Sequence, residues 1–277
     1  MSSACDSCPS KSGCTSQDSC PSFNRKRNPN IKRVIGVASG KGGVGKSFVT
    51  SVLASKLAKQ GYKVGIMDAD VTGPSIPRAF GIKGMLQGTE SGKIIPAETE
   101  SGIKVVSLNL LLQNEEEPVI WRGPVIAGLV QQFWTDVEWG MLDVLLIDMP
   151  PGTGDVPLTV FQSVPVDGLI LVTTPQDLVS MIVTKAMNMA QKMNIRILGL
   201  VENMSYIKCP HCDEIIHLFG KDDPVKAVCM KTGHEVLDRL PLDGDMTSKV
   251  DSGKAEEVGD GILDNTIKAL MDESVLL

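Results

Sequence analysis

The chain has 277 residues, a formal net charge of -6, 42% hydrophobic residues and eleven aromatic ones, made up of three Trp, two Tyr and six Phe. The negative charge and the small number of aromatic rings argue against nucleic acid or an anionic membrane as a partner. No apolar stretch is long enough to span a bilayer and no signal segment opens the chain. We therefore expect a soluble, cytoplasmic protein that binds neither membrane nor nucleic acid.

The first residues are rich in Ser, Cys, Pro and Gly without apolar periodicity, so segment 1–23 cannot bury enough surface to fold without a ligand. Four cysteines with C-x2-C-x5-C-x5-C spacing occur here: Cys5, Cys8, Cys14 and Cys20. In a reducing compartment, cysteine clustering favours metal ligation over disulfides. Four thiolates suit a [4Fe-4S] cluster, with zinc as the alternative. Segment 25–33 carries five basic residues and is predicted to be a solvated linker.

From Val34 onward, short apolar runs alternate with helical patterns. This alternation predicts a doubly wound α/β fold with a mostly parallel sheet covered on both faces. The predicted strands are 34–38, 64–67, 105–108, 144–147, 169–172 and 197–201, and the predicted helices are 47–60, 178–193 and 261–271.

The first strand is followed by a complete G-x-x-x-x-G-K-S motif and then by a helical pattern, which predicts a phosphate-binding P-loop. Its glycines let successive N-H groups point at phosphates, and the helix N-terminus adds positive potential. Lys46 is predicted to reach the β- and γ-phosphates, and Ser47 to ligate Mg²⁺. The predicted ATP-binding residues of the loop are Gly40, Gly42, Gly43, Val44, Gly45, Lys46 and Ser47.

Acidic residues follow two of the predicted strands, with Asp68 and Asp70 after the second and Asp148 at the end of a later one. An aspartate that ends a buried strand is poorly solvated, so Asp148 is predicted to face Mg²⁺ through water as a Walker B carboxylate. A helix N-cap is the alternative.

A second loop lysine, Lys41, is unexpected because one lysine already serves the phosphates and an extra buried charge is costly. The loop thereby resembles that of the deviant-Walker family, which includes Mrp/ApbC proteins, MinD, ParA and nitrogenase iron protein. The resemblance implies an ATP-linked homodimer in which Lys41 reaches the partner's nucleotide. It also implies that Asp68 and Asp70 are the water-orienting and metal-side carboxylates, in an order that the spacing does not decide, and that the Gly152 N-H senses the γ-phosphate.

Further motifs look like the Mrp/ApbC iron-sulfur carrier branch over residues 31–245; they lie at 68–75, 121–124, 148–155, 202–205 and 209–212. This resemblance implies that Asn203 contacts adenine and that Pro241 packs near the base. A turn residue at a strand end is the alternative for Asn203. The implied organisation is a segment 1–30, with the cysteines and the linker, and a P-loop ATPase domain 31–277 with a CPxC hairpin near 209–212.

Cys209 and Cys212 form a tight CxxC, and two sulfurs cannot complete a tetrahedral site. In the Mrp/ApbC branch, equivalent pairs from two subunits jointly hold a [4Fe-4S] cluster, since two plus two gives four thiolates. An inert turn is one alternative. Another is zinc, since Cys209, Cys212, Cys229 and His234 have C-x2-C-x16-C-x4-H spacing.

The resemblance as a whole implies a slow ATP hydrolase that carries [4Fe-4S] clusters to apo iron-sulfur proteins as a homodimer. The alternative from another class is a nucleotide-switched adaptor or regulatory ATPase with a structural zinc.

Overall fold

The computed structural model describes residues 26–70, 73, 75–111, 123–176, 179–219 and 223–272. Within these ranges, each helix is too short or too polar to cross a lipid bilayer.

Strands and helices alternate along most of the described chain. The strands are β1 Ile31–Ser39, β2 Val64–Asp68, β3 Gln87–Gly88, β4 Ile94–Ile95, β5 Ala97–Glu98, β6 Lys104–Ser107, β7 Leu142–Asp148, β8 Gly168–Thr173, β9 Ile197–Lys208, β10 Ile215–Ile216 and β11 Val236–Pro241. The α-helices are α1 Lys46–Lys59, α2 Ser75–Ala79, α3 Gly123–Thr135, α4 Asp155–Ser163, α5 Val179–Lys192, α6 Pro224–Thr232, α7 Gly244–Asp251 and α8 Asp264–Met271, with 3-10 turns at Leu108–Leu111 and Ala255–Glu257.

The main sheet has the order β10-β9-β8-β1-β7-β2-β6-β5, and β11 also pairs with β9. Its long strands pair in parallel, whereas the short β5 and β10 pair antiparallel to their neighbours. The fold prediction of a doubly wound, mostly parallel α/β sheet is therefore confirmed.

Both faces of the sheet are covered, so the central strands are apolar on both sides. In β7, Leu145 and Ile147 belong to one buried cluster and Val144 and Leu146 to the other. The first cluster includes residues of α3, α4, α5 and α6, and the second includes residues of α1, α2, α7 and α8. This two-sided burial explains why these strands read as continuous apolar runs.

All six predicted strands and all three predicted helices are present with shifted ends, although Leu178, the predicted start of α5, lies outside the described residues. The largest shift is in β9, which continues past position 201 to Lys208. The buried side chains of its extension, those of Glu202, Asn203 and Ser205, are polar, so apolar patterning did not reveal it. The sequence analysis did not predict α3, α4, α6, α7 or β11.

The prediction of a solvated linker at 25–33 is wrong for its last three residues, because Ile31–Arg33 belong to β1 and the side chains of Ile31 and Arg33 are buried. Arg27 forms a two-point ion pair with Asp167, with N-O distances of 2.7 and 3.0 Å. Arg33 lies within β1 and is only 7% exposed. Its guanidinium donates to the carbonyl oxygens of Leu270 at 2.6 Å and Asp272 at 3.0 Å. These carbonyls at the end of α8 lack helical partners, and a cationic donor satisfies them.

We predict that Arg33→Met lowers the free energy of unfolding by roughly 2 kcal/mol, because it removes the charged donor that binds the buried Leu270 carbonyl. Urea denaturation measures the change. Lys32→Met is the matched control, since the Lys32 side chain is 64% exposed in its pair with Asp143 and such surface pairs contribute less than about 1 kcal/mol. Equal losses in the two variants would contradict an anchoring role for Arg33.

Candidate nucleotide site and cysteine hairpin

The predicted ATP-site residues converge at the carboxyl-terminal edge of the parallel strands. Ser39 ends β1, Asp68 ends β2 and Asp148 ends β7. Asp68 and Asp148 stand opposite each other in the register of β2 and β7. Ligands of open α/β sheets bind at this edge, because successive strand-to-helix loops meet there.

The P-loop connects β1 to α1, which begins at Lys46. Gly43 and Gly45 have φ angles of 78° and 80°, which favour glycine. A Cβ atom on Gly45 would also lie 2.1 Å from Nδ2 of Asn203. The loop backbone thus approaches β9 closely, and it is fixed there because Asn203 Nδ2 donates to the Val44 carbonyl at 3.0 Å.

Asp148 is fully buried and accepts three hydrogen bonds from α1. The donors are Lys46 Nζ at 2.6 Å, Ser47 Oγ at 2.6 Å and Thr50 Oγ1 at 2.7 Å. Burial acts against the charge of Lys46, but the carboxylates of Asp148 and Asp70 outweigh it and raise the pKa of Lys46. The lysine therefore stays cationic. The sequence analysis missed Thr50, which lies one turn after Lys46 on the same face of α1.

Asp68 sits deeper than Asp70. Burial, followed by the charge of Asp148, raises the pKa of Asp68 well above its ordinary value. Its carboxylate accepts from the Ser107 hydroxyl at 2.7 Å and from the Asp70 N-H at 3.0 Å. Asp70 itself approaches Lys46 Nζ to 3.3 Å. The site thus combines a carboxyl suited to taking up a proton with carboxylates beside a fixed cation.

A cavity of about 660 Å³ opens over this network. Its lining includes loop glycines, Lys46, Ser47, Asp70, Asn203, Pro241 and Leu242. Its volume is in the usual range for small-molecule sites. Arg78 of α2 also lines it, which the sequence analysis missed because no motif marks this residue.

The residues present fit Mg-ATP. The Ser47 hydroxyl and the Asp148 carboxylate are adjacent hard oxygen donors, which Mg²⁺ prefers. The loop glycines provide a phosphate cradle at the start of α1.

Three further predicted site residues lie around this cavity or beside it. Asn203 and Pro241 line the cavity, and Asn203 lies inside β9 rather than at a strand end. The Gly152 N-H donates to the Ser39 carbonyl at 2.8 Å, with a Gly152 φ of 88°. In this structure the Gly152 amide therefore contacts the end of β1, and its predicted contact with the γ-phosphate stays a prediction.

Lys41 is half-buried rather than buried, and its ammonium donates to the side-chain oxygen of Gln176 in the same chain. Its predicted role across a dimer interface stays a prediction.

Cys209 and Cys212 lie in a tight hairpin between β9 and β10. The Cys209 N-H donates to the Glu214 carbonyl at 2.9 Å, and the Asp213 N-H donates to the Cys209 carbonyl at 3.0 Å. The backbone N-H groups of His211 and Cys212, followed by the Cys212 thiol, lower the pKa of Cys209. This favours the thiolate, the form that ligates metals. The predicted ligands Cys5, Cys8, Cys14 and Cys20 lie outside the described residues.

The zinc alternative for one subunit is not assembled in the structure. Cys229 is buried on α6, and burial raises the pKa of its thiol to about 11. Across the described ranges, no three His, Cys, Asp or Glu side chains are grouped so that they could hold a metal ion. Cys209, Cys212, Cys229 and His234 therefore do not form the predicted tetrahedral set.

A protein-family model and several known proteins are similar to this chain over most of its length. A family model described as ParA: NUBPL iron-transfer P-loop NTPase matches residues 30–273. An iron-sulfur cluster carrier protein of Clostridium perfringens is 46% identical over 286 residues, which cover 98% of this chain and 99% of that protein. The iron-sulfur cluster transfer protein NUBPL of Dictyostelium discoideum is 42% identical over 226 residues, covering 81% and 69% of the two chains.

Solved structures give the same fold. A nucleotide-binding protein of Archaeoglobus fulgidus in complex with ADP is similar with a TM-score of 0.74 and 44% identity, covering 83% of this chain and 90% of that one. The septum site-determining protein MinD of Pyrococcus horikoshii, complexed with Mg-ADP, has a TM-score of 0.59 at 19% identity, covering 87% and 93%. The second comparison concerns the fold alone.

We predict that Asp68→Asn raises the thermal unfolding midpoint, and that the gain grows with pH. The pKa of Asp68 is raised above 3.8 by folding, so its contribution to stability is present below that pH and is lost as pH rises through the folded-state value. Thermal unfolding at about pH 4 and about pH 8 tests this linkage.

Asp143→Asn is the control of opposite sign. The hydrogen bond from Lys32, then that from the Lys63 N-H, lowers the pKa of Asp143, so this variant loses stability as pH rises through the range where Asp143 ionises. A gain for Asp68→Asn that is the same at both pH values would contradict the burial argument.

Proposed function

Because the chain belongs to the NUBPL iron-transfer family of P-loop NTPases, we propose that it is an ATP-dependent carrier that binds a [4Fe-4S] cluster and transfers it to apo iron-sulfur proteins. One observation supports the coupling of the two activities. β9 contains Asn203, which lines the nucleotide cavity, and ends at Lys208, directly before Cys209. One continuous strand thus joins Asn203 to the cysteine hairpin, and a displacement at the nucleotide would reach the cysteines through it.

The proposed hydrolytic roles follow from the contacts at the strand ends. Lys46 binds the β- and γ-phosphates, and Ser47 and Asp148 hold Mg²⁺. Asp68, whose pKa is raised by burial, orients the attacking water and takes up its proton. Asp70, 3.3 Å from Lys46, lies on the metal side. Bound Mg²⁺ would neutralise charge on the phosphates. Turnover is slow in this proposal, because hydrolysis resets a switch.

The proposed cluster site requires a second copy of the chain. Cys209 and Cys212 offer two thiolates, and a [4Fe-4S] cluster takes four. The hairpin also exposes apolar side chains, since Ile215, Ile216 and Phe219 are 54%, 47% and 40% exposed. In a two-fold contact each residue near the axis meets its own copy, so exposed apolar side chains are suited to self-association. We place this homodimer in the cytoplasm.

We predict that Lys46→Ala abolishes nucleotide binding, because it removes the cation fixed by Asp148 and Asp70. Lys41→Ala is expected to retain ATP binding within about threefold, because its ammonium lies against Gln176 rather than in the cis phosphate cradle, but to lose ATP-dependent dimerisation. Calorimetry measures binding, and light scattering measures mass. An unchanged dimer in Lys41→Ala would refute the trans role.

The proposed carrier function itself is tested by anaerobic activation of an apo iron-sulfur enzyme with cluster-loaded protein. Mg-ATP, Mg-ADP and no nucleotide are expected to give different transfer rates. Cys212→Ala is expected to lose about one cluster per dimer and its transfer. Identical rates in the three conditions would contradict ATP dependence.

Two controls assign the metal. Substitution of Cys14 is expected to remove a different cluster and leave the Cys212-dependent one intact. Stoichiometric zinc without iron after anaerobic reconstitution would instead favour the structural-zinc alternative.

A further inference from the structure

We propose that Gln176 is a positioning residue that holds Lys41 in its own subunit until a partner's nucleotide replaces it. The inference rests on the proposed homodimer, in which Lys41 crosses to the partner's nucleotide. Its direct basis is the hydrogen bond from the Lys41 ammonium to the Gln176 side-chain oxygen. Lys41 is therefore already committed to a partner before any second subunit arrives.

The two ends of this contact are fixed by different elements. Gln176 follows β8 in a turn closed by its own N-H, which donates to the Thr174 carbonyl at 2.9 Å. On the loop side, the Lys41 carbonyl accepts from the Ser39 hydroxyl at 3.0 Å. Gly40 packs against α5 so closely that a Cβ atom would lie 2.4 Å from Ile182. The backbone on both sides is therefore held, and only the lysine side chain is free to change partner.

The loop beyond Lys41 leaves room for that change. Gly42 and Gly43 are exposed, and a Cβ atom on Gly43 would meet nothing within 4 Å. The side chain can therefore swing outward without unpacking Gly40 from α5. A long lysine side chain with rotatable bonds is suited to such an exchange.

The negative charge of a partner subunit's nucleotide allows it to replace Gln176 as the acceptor for Lys41. An amide oxygen orients an ammonium but does not neutralise its charge, and the site is only half-buried. A polyphosphate offers full negative charges, so it adds the Coulombic attraction of an ion pair to the hydrogen bond that the ammonium can also make with an amide oxygen. Lys41 should thus prefer a phosphate once one is within reach. A carboxylate at position 176 would instead compete with the phosphate.

Two near-isosteric substitutions therefore have opposite expected effects. Gln176→Met removes the acceptor and should lower the ATP concentration for half-maximal dimerisation by about tenfold, the lower end of the net value of one hydrogen bond to a charged group. Gln176→Glu adds a charge and should raise that concentration by about the same factor. Both substitutions should leave ATP affinity of the monomer unchanged.

The measurement is light scattering of the full chain over an ATP titration, repeated in a Lys41→Ala background. If Gln176 acts through Lys41, neither substitution gives the Lys41→Ala chain any ATP-dependent dimerisation. Equal shifts of the same sign in Gln176→Met and Gln176→Glu, or shifts that persist without Lys41, would overturn the proposal.

A second readout does not require a dimer. Acetylation of Lys41 in the nucleotide-free chain is followed by mass spectrometry, with the exposed Lys63 as internal reference. Gln176→Met should speed Lys41 acetylation relative to Lys63, and Gln176→Glu should slow it. Unchanged acetylation in both variants would refute the contact between Gln176 and Lys41. If acetylation changes as expected but the chain does not dimerise with ATP, the proposed dimer is refuted and the contact between Gln176 and Lys41 stands.

Discussion

The site depends on one buried carboxylate at the end of a central strand. Asp148 has no exposed surface and accepts from Lys46, Ser47 and Thr50, which all lie in the first turns of α1. A buried ion pair contributes little to stability once desolvation is counted, and its value lies in fixing geometry. Here it fixes the start of α1, and thereby the P-loop, against β7. Phosphate recognition requires such preorganised donors, because groups that must reorganise lose most of their electrostatic advantage.

From this anchor the site extends to β9. Asn203 joins the loop carbonyl of Val44 to that strand. The next residue, Met204, has a φ of 55°, so the strand carries a local distortion between the nucleotide and the hairpin. On the other face, Glu202 is buried, accepts a hydrogen bond from Ser205 across the distortion and lies 3.9 Å from Arg239 of β11. Polar contacts on both faces therefore hold β9 where it passes from nucleotide to cysteines, which suits it to transmit a displacement.

The features of the fold and site that could be predicted from the sequence are those formed by consecutive residues. The P-loop, the strand that ends at Asp148 and the CxxC turn each show their geometry through spacing, and the structure places them accordingly. Contacts between distant segments leave no such mark. Gln176 beside Lys41 and Arg33 at the end of α8 join residues 135 and 237 positions apart. The linker prediction for 25–33 was wrong at Arg33 for the same reason, since Arg33 donates to carbonyl groups that lie 237 and 239 positions away.

The proposed control of cluster transfer by nucleotide requires a minimum difference in binding free energy between the open and the closed dimer. The two-fold symmetry of a dimer reduces the share that each nucleotide site must supply. To convert an open population of 99% into a closed one of 99%, nucleotide must favour the closed state by about 5.5 kcal/mol. Two identical nucleotide sites act on one closure, so each has to supply about half, or roughly 2.7 kcal/mol. One charge-assisted hydrogen bond contributes about 1.5–3 kcal/mol. The gain from the contact of Lys41 with a partner's phosphate is reduced by the loss of the Gln176 contact, so it falls below the roughly 2.7 kcal/mol required and a second phosphate-sensitive group has to contribute. The Gly152 amide, which contacts the end of β1 in this structure and is predicted to sense the γ-phosphate, is a candidate for that group. Because neither contact alone is strong enough to keep the dimer closed, the dimer can reopen, and this suits a carrier that must release its cluster.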